Sequence, residues 1–221
     1  MNFKKIVGEK AAEYVKDGMV IGLGTGSTAY WAIKKIGSLV RDGLKITAVA
    51  TSTNTQKLAI EEKIPMISLD NVEKLDLTID GADEFDHNKN LIKGGGGALL
   101  REKIVASLTD FYIIIADSSK RVDTLGHFPL PVEVVPFAWQ VTFRRLEKLG
   151  CQVQRRNVDG KPFITDNQNF IIDCFFNKIE NPDDLQVKIN LIPGVVENGL
   201  FLKMADIIII NDDKGNSLIL K

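Results

Sequence analysis

Histidine, cysteine and long apolar runs are scarce in this sequence. Its 221 residues include 2 His and 2 Cys, and Cys151 and Cys174 lie in separate strand-like runs without CxxC spacing. We therefore expect two buried thiols in a reducing compartment, with no disulfide between them. No apolar run approaches the ~20 residues that span a bilayer, and residues 1–10 mix Lys, Glu and apolar side chains, which fits neither a signal nor a transit peptide. These absences predict a cytoplasmic protein that does not enter a membrane.

An excess of either charge is also missing. Lys and Arg together number 28, Asp and Glu together number 29, and the formal net charge at pH 7 is -1. This balance creates no overall field that would attract nucleic acid or an anionic membrane, and we expect neither as a partner. Any anion site must therefore be local. The hydrophobic fraction of 44% and the charged fraction of 26% are ordinary for a globular protein with a core.

Strands and helices alternate over the first half of the sequence. Short apolar runs predict strands at 19–23, 44–50, 75–79 and 111–116. Helical spacing and capping hydroxyls predict helices near 3–15, 31–40, 53–61 and 98–108. Such alternation favours a parallel, Rossmann-like sheet with helices on both faces, whose ligand crevice lies beyond the carboxyl ends of the strands. Every unusual polar cluster in this half directly follows a predicted strand.

The pattern changes after about Gly126. Predicted strands at 132–135, 151–155, 170–175 and 195–196, with a short piece at Phe163–Thr165, alternate with helices at 139–149 and from Pro182 in β-α-β-β-α-β order. This order indicates a small ferredoxin-like domain, and Ile207–Ile210 should rejoin the first sheet. The predicted fold class is α/β: a Rossmann-like parallel sheet domain (1–126 plus 203–221) with a smaller ferredoxin-like α+β domain (127–202) inserted near the C-terminus.

A glycine-rich turn follows the first predicted strand at Gly22–Thr28. It fails the G-x-G-x-x-G dinucleotide pattern because Ser27 stands where the last glycine belongs, and the next strand ends in Ala50-Thr51-Ser52 without an acid for a ribose. A glycine turn before a helix with three hydroxyls instead favours a small phosphate. The alternative is a tight turn in which Ser and Thr cap the helix.

Two carboxylates, Asp80 and Asp83, flank Gly81-Ala82 where the third strand ends. Such a pair can shuttle protons, bind sugar hydroxyls or hold a metal. The spacing does not match a calcium loop, and the two His are far apart in sequence, so we expect no metal. An ordinary Asp-containing turn is the alternative.

Lys93 precedes four consecutive glycines, Gly94–Gly97, and Glu102 follows in the next helix. Four glycines carry a large entropic cost on folding, which is understandable where backbone amides must approach a ligand oxygen closely. The helical neighbours of Glu102 at three and four residues are apolar, and a carboxylate partly removed from water retains a proton more readily, which suits a general base. Lys120, after another strand, could reach a phosphate. A flexible linker, a first-turn Glu and a surface Lys are the respective alternatives.

Together these segments resemble ribose-5-phosphate isomerase of the A type. The resemblance is carried, in order and over nearly the whole chain, by Gly24–Thr28, Asp80–Asp83, Lys93–Gly97, Arg101–Lys103, Asp117–Lys120 and Pro193–Phe201. It implies interconversion of D-ribose 5-phosphate and D-ribulose 5-phosphate in the pentose phosphate pathway, without a metal or redox cofactor. It also implies a homo-oligomer, usually a dimer or a tetramer.

The family pattern also implies a role for each matching residue. Glu102 would be the base that moves a proton between C2 and C1, and Lys93 and the glycine amides would stabilise the enediolate oxygen. Asp80 and Asp83 would bind hydroxyls, with Asp80 assisting ring opening or oxygen-to-oxygen proton transfer. The implied catalytic residues are Glu102, Asp80, Asp83 and Lys93. The implied substrate-binding residues are Thr25, Gly26, Ser27, Thr28, Asp80, Gly81, Ala82, Asp83, Lys93, Gly94, Gly95, Gly96, Lys120 and, for the phosphate, Lys4.

Two other functions remain open from the residues. A sugar-phosphate sensor on the same fold would keep the phosphate loop but need neither Glu102 nor Lys93, and would be expected to carry a DNA-binding segment, of which we find no sign. Acyl-CoA transfer with a nucleophilic Glu would need a CoA site, for which the short chain leaves little room. Fold analogy alone excludes neither.

Overall fold

Helices and strands alternate along residues 2–212 and 216–221, which are the residues that the computed structural model describes. The helices in these ranges are Phe3–Ala12 (α1), Ala29–Arg41 (α2), Thr53–Glu61 (α3), Leu99–Ser107 (α4), Trp139–Glu147 (α5) and Pro182–Asn190 (α6). The strands are Val20–Leu23 (β1), Thr47–Ala50 (β2), Leu77–Gly81 (β3), Glu84–Phe85 (β4), Leu91–Ile92 (β5), Tyr112–Ile115 (β6), Leu130–Val134 (β7), Gln152–Arg155 (β8), Asn157–Val158 (β9), Lys161–Pro162 (β10), Phe170–Phe175 (β11), Val195–Asn198 (β12), Leu200–Phe201 (β13), Ile207–Asn211 (β14) and Ser217–Leu220 (β15).

The first of two units comprises Met1–Ala82, Arg101–Arg121 and Met204–Lys221. Its six-stranded sheet has the order β15-β14-β6-β3-β1-β2. All neighbours pair in parallel except β14 and β15. The predicted parallel sheet is therefore confirmed, and the strand predicted at 207–210 rejoins it. The antiparallel edge strand β15 is an addition that we did not predict.

The core of the first unit follows from strands that are buried throughout and almost entirely apolar. Tyr112–Ile115 is buried along its whole length, as is Ile207–Asn211. Strands of this composition suit a sheet that is covered on both faces, where alternation of polar and apolar residues is not needed. Helices α1 and α2 contribute their apolar faces to the same core through Val7, Ala11, Ile33 and Ile36. The order of the strands then places the loops after β1, β3 and β6 at the carboxyl edge of one sheet.

The second unit comprises Asp83–Leu100 and Val122–Lys203. Its antiparallel sheet has the order β12-β7-β11-β8, and α5 and α6 complete the predicted β-α-β-β-α-β sequence of a ferredoxin-like fold. A three-stranded sheet, β13-β5-β4, is also present. The sequence places 83–100, 122–126 and Lys203 in the first domain, whereas the structure groups them with the second unit, in which β5 pairs with β13.

One small element prediction is wrong. The short strand expected at Phe163–Thr165 is replaced by a hairpin of β9 and β10 around Asp159 and Gly160, which both adopt positive φ. The Thr165 hydroxyl donates to Glu133 and accepts from the backbone N–H of Asn167 and of Asn169. These local bonds compete with strand pairing, as is typical of Thr and Asn in turns.

Within the described residues, none of the helices combines the length and the apolar character needed to cross a bilayer.

Candidate active site

The loop between β1 and α2, residues 24–28, makes a very close approach to Asp80. A Cβ atom on Gly24 would lie 2.2 Å from Asp80 Oδ1 and 2.5 Å from Asp80 Cα, so only glycine fits at this position. The N–H of Thr25 donates to Asp80 Oδ1 at 3.0 Å. Gly26, with φ of 110°, supplies a left-handed conformation that side chains disfavour. We call this segment the first loop.

Hydroxyl groups hold the first loop to the start of α3. The Thr25 hydroxyl lies 2.8 Å from Thr51 Oγ1, 2.9 Å from Ser52 Oγ and 3.1 Å from Thr55 Oγ1. The Thr55 hydroxyl donates to the carbonyl of Gly24 at 2.9 Å. Ser52 is also the N-cap of α3, as predicted from the 51–53 hydroxyls. Thr25 therefore anchors the loop, and its hydroxyl is already engaged by protein groups.

Ser27 lies at the exposed part of the first loop and forms a hydrogen bond with Lys4 of α1. Lys4 Nζ donates to Ser27 Oγ at 2.9 Å. Thr28 precedes α2 without making a side-chain cap bond. The N-terminus of a helix, a hydroxyl and an ammonium group thus lie together in the first unit, an arrangement that favours an anion.

Asp80 and Glu102 are both buried in the first unit, with exposed fractions of 0% and 5%. Asp80 Oδ1 also accepts from the Gly81 N–H at 2.7 Å, and the Tyr112 hydroxyl lies 3.4 Å from Asp80 Oδ2. Burial raises the pKa of the Tyr112 phenol well above its ordinary value, and the nearby carboxylates of Asp80 and Glu102 raise it further. Tyr112 is therefore a neutral hydroxyl that lies in the field of both carboxylates.

Lys120 ends a short 3-10 turn, Ser118–Lys120, which follows β6 and is capped by Asp117. A surface cavity of about 830 Å³ lies nearby, and Lys120 is not among its lining residues. That lining consists of Asn2, Phe3, Lys4, Asp117, Ser118, Ser119, Asn211 and Asp212. The cavity shares Lys4 with the Ser27 contact.

Lys93 lies in the second unit and is only 2% exposed. Its N–H donates to the Gly199 carbonyl at 2.9 Å, and its Nζ lies 5.4 Å from the centroid of the Phe201 ring. A Cβ on Gly199 would lie 2.3 Å from the Lys93 carbonyl oxygen. The 198–201 segment, whose family resemblance was noted from sequence, therefore packs against the backbone of the lysine.

The glycine loop, Gly94–Gly97, forms hydrogen bonds both within itself and to the side chain of Asp83. Asp83 Oδ2 accepts from the Gly95 N–H at 2.7 Å, and the Gly94 carbonyl accepts from the Gly97 N–H at 2.9 Å. Gly94 and Gly97 have φ values of 102° and 78°. A Cβ on Gly97 would lie 2.3 Å from Phe163 Cε1. Gly94 and Gly97 are thus required both by conformation and by packing, since a Cβ on Gly94 would also lie 2.8 Å from Leu99 Cδ2.

Metal ligands do not gather anywhere in the described ranges. Among these residues, no group of three or more His, Cys, Asp or Glu side chains could hold a metal ion. Asp80 instead accepts backbone N–H groups, as does Asp83.

Comparison with known proteins assigns the family. A family model described as Ribose 5-phosphate isomerase A (phosphoriboisomerase A) matches residues 47–215. The chain belongs to the ribose-5-phosphate isomerase A family. It is 56% identical over 216 residues to the ribose-5-phosphate isomerase A of Bacillus mycoides, covering 97% of this chain and 98% of the relative.

Solved structures of ribose-5-phosphate isomerases have the same fold. The enzyme from Methanocaldococcus jannaschii superposes with a TM-score of 0.94 at 43% identity, covering 100% of this chain and 98% of the other. A D-ribose-5-phosphate isomerase in complex with phospho-erythronic acid gives a TM-score of 0.96 at 42% identity, covering all of both chains. The predicted family and fold class are both confirmed.

In this member of the ribose-5-phosphate isomerase A family, each unit holds one group of the predicted site residues. The first unit links Lys4 to Ser27 and Thr25 to Asp80, and it buries Glu102. The second unit links Asp83 to Gly95 beside the buried Lys93. Gly81 ends β3, and Ala82 follows it and precedes Asp83 in the chain. The individual roles remain predictions.

Sequence reasoning missed two side chains of this ribose-5-phosphate isomerase A that contact the predicted residues. The sequence pattern places Tyr112 only in a buried apolar strand, although a hydroxyl in such a strand is a signal that a polar partner is near. Arg156 donates to the carbonyls of Gly94 and Gly95 at 2.8 and 3.0 Å. It lies 62 residues from Gly94 in sequence, and nothing in the local pattern indicates that contact.

Proposed function

We propose that this family member interconverts D-ribose 5-phosphate and D-ribulose 5-phosphate by proton transfer through an enediolate, with Glu102 as the general base. The observation that supports this most directly is the burial of Glu102 in the first unit. Its carboxylate lies close enough to Tyr112 to raise the pKa of that phenol, as does the carboxylate of Asp80. A carboxylate with restricted access to water exchanges a proton more effectively near neutral pH than an exposed one. In this mechanism Glu102 removes the proton from C2 of the open-chain aldose and returns it to C1.

Removal of that proton places negative charge on the carbonyl oxygen. We propose that Lys93 and amides of the glycine loop stabilise this charge, since a cation and oriented N–H groups lower the barrier without reorganising. Loss of one such donor typically costs about 2.7–4 kcal/mol of transition-state stabilisation. The near-complete burial of Lys93 keeps its charge away from bulk screening, which supports this role.

The two carboxylates Asp80 and Asp83 are proposed to bind sugar hydroxyls, with Asp80 also assisting ring opening or proton transfer between oxygens. The Oδ1 atom of Asp80 accepts hydrogen bonds from the N–H groups of Thr25 and Gly81, at 3.0 and 2.7 Å. The carboxylate is therefore held in one orientation, as positioned acid–base groups require.

The phosphate of the substrate is proposed to bind at the first loop, residues 25–28, with Lys4 and Lys120. Within the loop, Thr25 holds the backbone in place through its hydroxyl contacts, and Ser27 and Thr28 meet the phosphate. The contact between Lys4 and Ser27 supports this placement, and the phospho-erythronic acid held by one solved relative is itself a phosphorylated acid. Binding energy at a remote phosphate holds the reacting carbons in place. We also propose a cytoplasmic homo-oligomer, a dimer or a tetramer, that needs no metal, nucleic acid or membrane.

Glu102→Gln tests the base. The amide keeps the size of the side chain but cannot accept the proton, so we expect ketose formation from ribose 5-phosphate to fall about 10²–10⁴-fold with little loss of substrate binding. Glu61→Gln, at an exposed position at the end of α3, is the matched control and should retain activity. A Glu102→Gln enzyme within threefold of wild type contradicts the assignment. Binding of ribose 5-phosphate by the unmodified protein without any turnover would favour the sensor function instead.

Solvent exchange tests the route taken by the hydrogen. A proton held on Glu102 can exchange before it is returned, so product formed in D₂O should carry deuterium at the migrating position. A site that partly excludes water would give partial incorporation. Turnover should also survive exhaustive EDTA treatment. EDTA-sensitive turnover with no deuterium in the product would reject proton transfer and assign Asp80 and Asp83 to a metal.

A further inference from the structure

In the second unit, the guanidinium of Arg156 forms hydrogen bonds both to the glycine loop and to the carboxylate of Asp173. Its Nη1 donates to the Gly94 carbonyl at 2.8 Å and to the Gly95 carbonyl at 3.0 Å. Its Nε donates to Asp173 Oδ2 at 2.9 Å, and its Nη2 pairs with the other oxygen of the same carboxylate. Both side chains of the ion pair are only 14% exposed. All three nitrogen atoms of one rigid, planar group are therefore engaged.

These bonds restrict a segment that would otherwise be among the most mobile in the chain. Four successive glycines have access to a very wide range of backbone conformations. The peptide between Gly94 and Gly95 is held at both ends, because its carbonyl accepts from Arg156 and its N–H donates to Asp83 at 2.7 Å. The next peptide is held at its carbonyl by the same arginine.

Because the peptide is planar, holding its carbonyl in place also fixes the direction of its N–H, here that of Gly96. In a trans peptide the carbonyl and the N–H point in opposite directions, so fixing the Gly95 carbonyl toward Arg156 turns the Gly96 N–H to the other face of the loop. The N–H groups of Gly95 and Gly97 are used within the protein, by Asp83 and by the Gly94 carbonyl. Gly96 is an exposed residue, which suits an N–H that meets an oxygen of a substrate.

We propose that Arg156, oriented by Asp173, is a positioning residue for the isomerisation. It does not touch the substrate; it holds the Gly96 N–H in the direction that stabilises the enediolate oxygen. The bond to a cation also polarises the Gly95–Gly96 peptide, which makes that N–H a stronger donor. This role rests on the proposed enediolate mechanism and adds to it a residue that the sequence motifs do not contain.

Arg156→Lys tests the positioning role, since an ammonium keeps the charge but cannot replace a planar fork that joins two carbonyls to a carboxylate. We expect kcat to fall about 10–100-fold, because small misplacement of a catalytic group has effects of this order, while KM changes less than about threefold. Arg155→Lys is the matched control. That neighbouring guanidinium packs 4.6 Å from the Trp139 ring centroid and 5.5 Å from that of Phe170, so its kcat and KM should stay near wild type.

Hydrogen–deuterium exchange of the 94–97 segment supplies a readout that does not depend on catalysis. Faster exchange of this segment in Arg156→Lys, together with the fall in kcat, supports the proposal. Unchanged exchange overturns the restraint, and faster exchange with unchanged kcat overturns the catalytic consequence. Should Glu102→Gln retain activity, the proposed base fails while the exchange result still decides whether Arg156 orders the loop.

Asp173→Asn supplies a second variant if Arg156→Lys does not fold. It leaves Arg156 in place but weakens the pair that orients the guanidinium, so we expect the same split between kcat and KM with a smaller fall in kcat. A rise in KM with an unchanged kcat in this variant overturns the proposal.

Discussion

Two glycine-containing loops of this protein are held in place by different kinds of bond. The first loop, 24–28, carries its own anchors, because Thr25 joins a cluster of hydroxyls and its N–H reaches Asp80. The glycine loop, 94–97, has no side chains, and its anchors come from elsewhere in the chain, from Asp83 and Arg156. In the proposed mechanism the first loop binds a remote phosphate and the second stabilises the reacting oxygen.

This difference in anchoring suggests that glycine has one purpose in a loop that binds a phosphate and another in a loop that stabilises a reacting oxygen. A phosphate is large enough to be met by hydroxyls and ammonium groups together with helix amides. An oxygen that gains charge during the reaction is better met by backbone N–H groups, which need close approach and a fixed direction. Close approach requires glycine, and the conformational freedom of glycine must then be restricted by outside contacts.

Among variants of the two loops, the largest effect is expected from alanine at glycine positions. Gly24→Ala places a Cβ 2.5 Å from the backbone Cα atom of Asp80, which cannot move aside. We expect a loss of about 1–3 kcal/mol in the free energy of unfolding and about a 10²-fold loss of kcat/KM from displacement of Asp80. In Gly95→Ala the atoms nearest to the added Cβ belong to the side chain of Asp83, with Oδ1 at 2.5 Å. This variant should lower activity with a smaller loss of stability, measured by urea unfolding and steady-state kinetics. Equal losses of stability would remove the distinction between the loops.

A smaller effect, confined to substrate affinity, is expected from Lys120→Ala. If Lys120 binds the phosphate equally in the ground and transition states, KM should rise about tenfold with little change in kcat. Arg121, the next residue, is exposed, and Arg121→Ala should leave KM unchanged. An unchanged KM in Lys120→Ala would assign that lysine to the surface and restrict the phosphate site to the first loop and Lys4.

A loss of stability without a matching loss of affinity is expected from Thr25→Val. The change removes a hydroxyl with three hydroxyl neighbours, which should lower the free energy of unfolding by about 1 kcal/mol. Ser27→Ala, on the exposed crest of the same loop, should leave stability unchanged and raise KM. If Thr25→Val and Ser27→Ala change the free energy of unfolding and KM in the same way, anchoring and phosphate binding are not separate functions within the first loop.

The smallest effect concerns Glu62, which follows α3 and binds two cations of α2. A hydrogen bond from Lys34, then one from Arg41 at 2.8 Å, hold the pKa of this buried carboxyl below its ordinary value. A lowered folded-state pKa stabilises the protein at neutral pH, and this contribution is lost as the pH falls through that pKa. Because the cations are 42% and 43% exposed, Glu62→Gln should cost at most about 1 kcal/mol at pH 7. The difference from wild type in urea unfolding should shrink as the pH falls below 4.5, the ordinary pKa of the carboxyl; a constant difference would contradict the ionic origin.

Most elements were predictable from sequence because their signals are local. The apolar runs that became β1, β6 and β14 are buried in the sheet that they predicted, and Asn181-Pro182 begins α6 as expected. The two-residue strands β4, β5 and β13 were missed, since pairs such as Leu91–Ile92 and Leu200–Phe201 are too short to carry a period. They form a sheet only because distant segments meet.

The sequence by itself determined the family, the alternation of strands and helices, and the segments in which chemistry was expected. Glycine runs, paired carboxylates and capping hydroxyls each restrict the backbone or supply a donor within a few residues, so their meaning is local. The tertiary structure alone decided which groups restrain them: Tyr112 beside Asp80, the Thr25 hydroxyl among those of α3, and Arg156 behind Gly94 and Gly95. Such contacts join residues that are tens of positions apart, and they depend on sheet order and packing, which a periodic pattern does not encode.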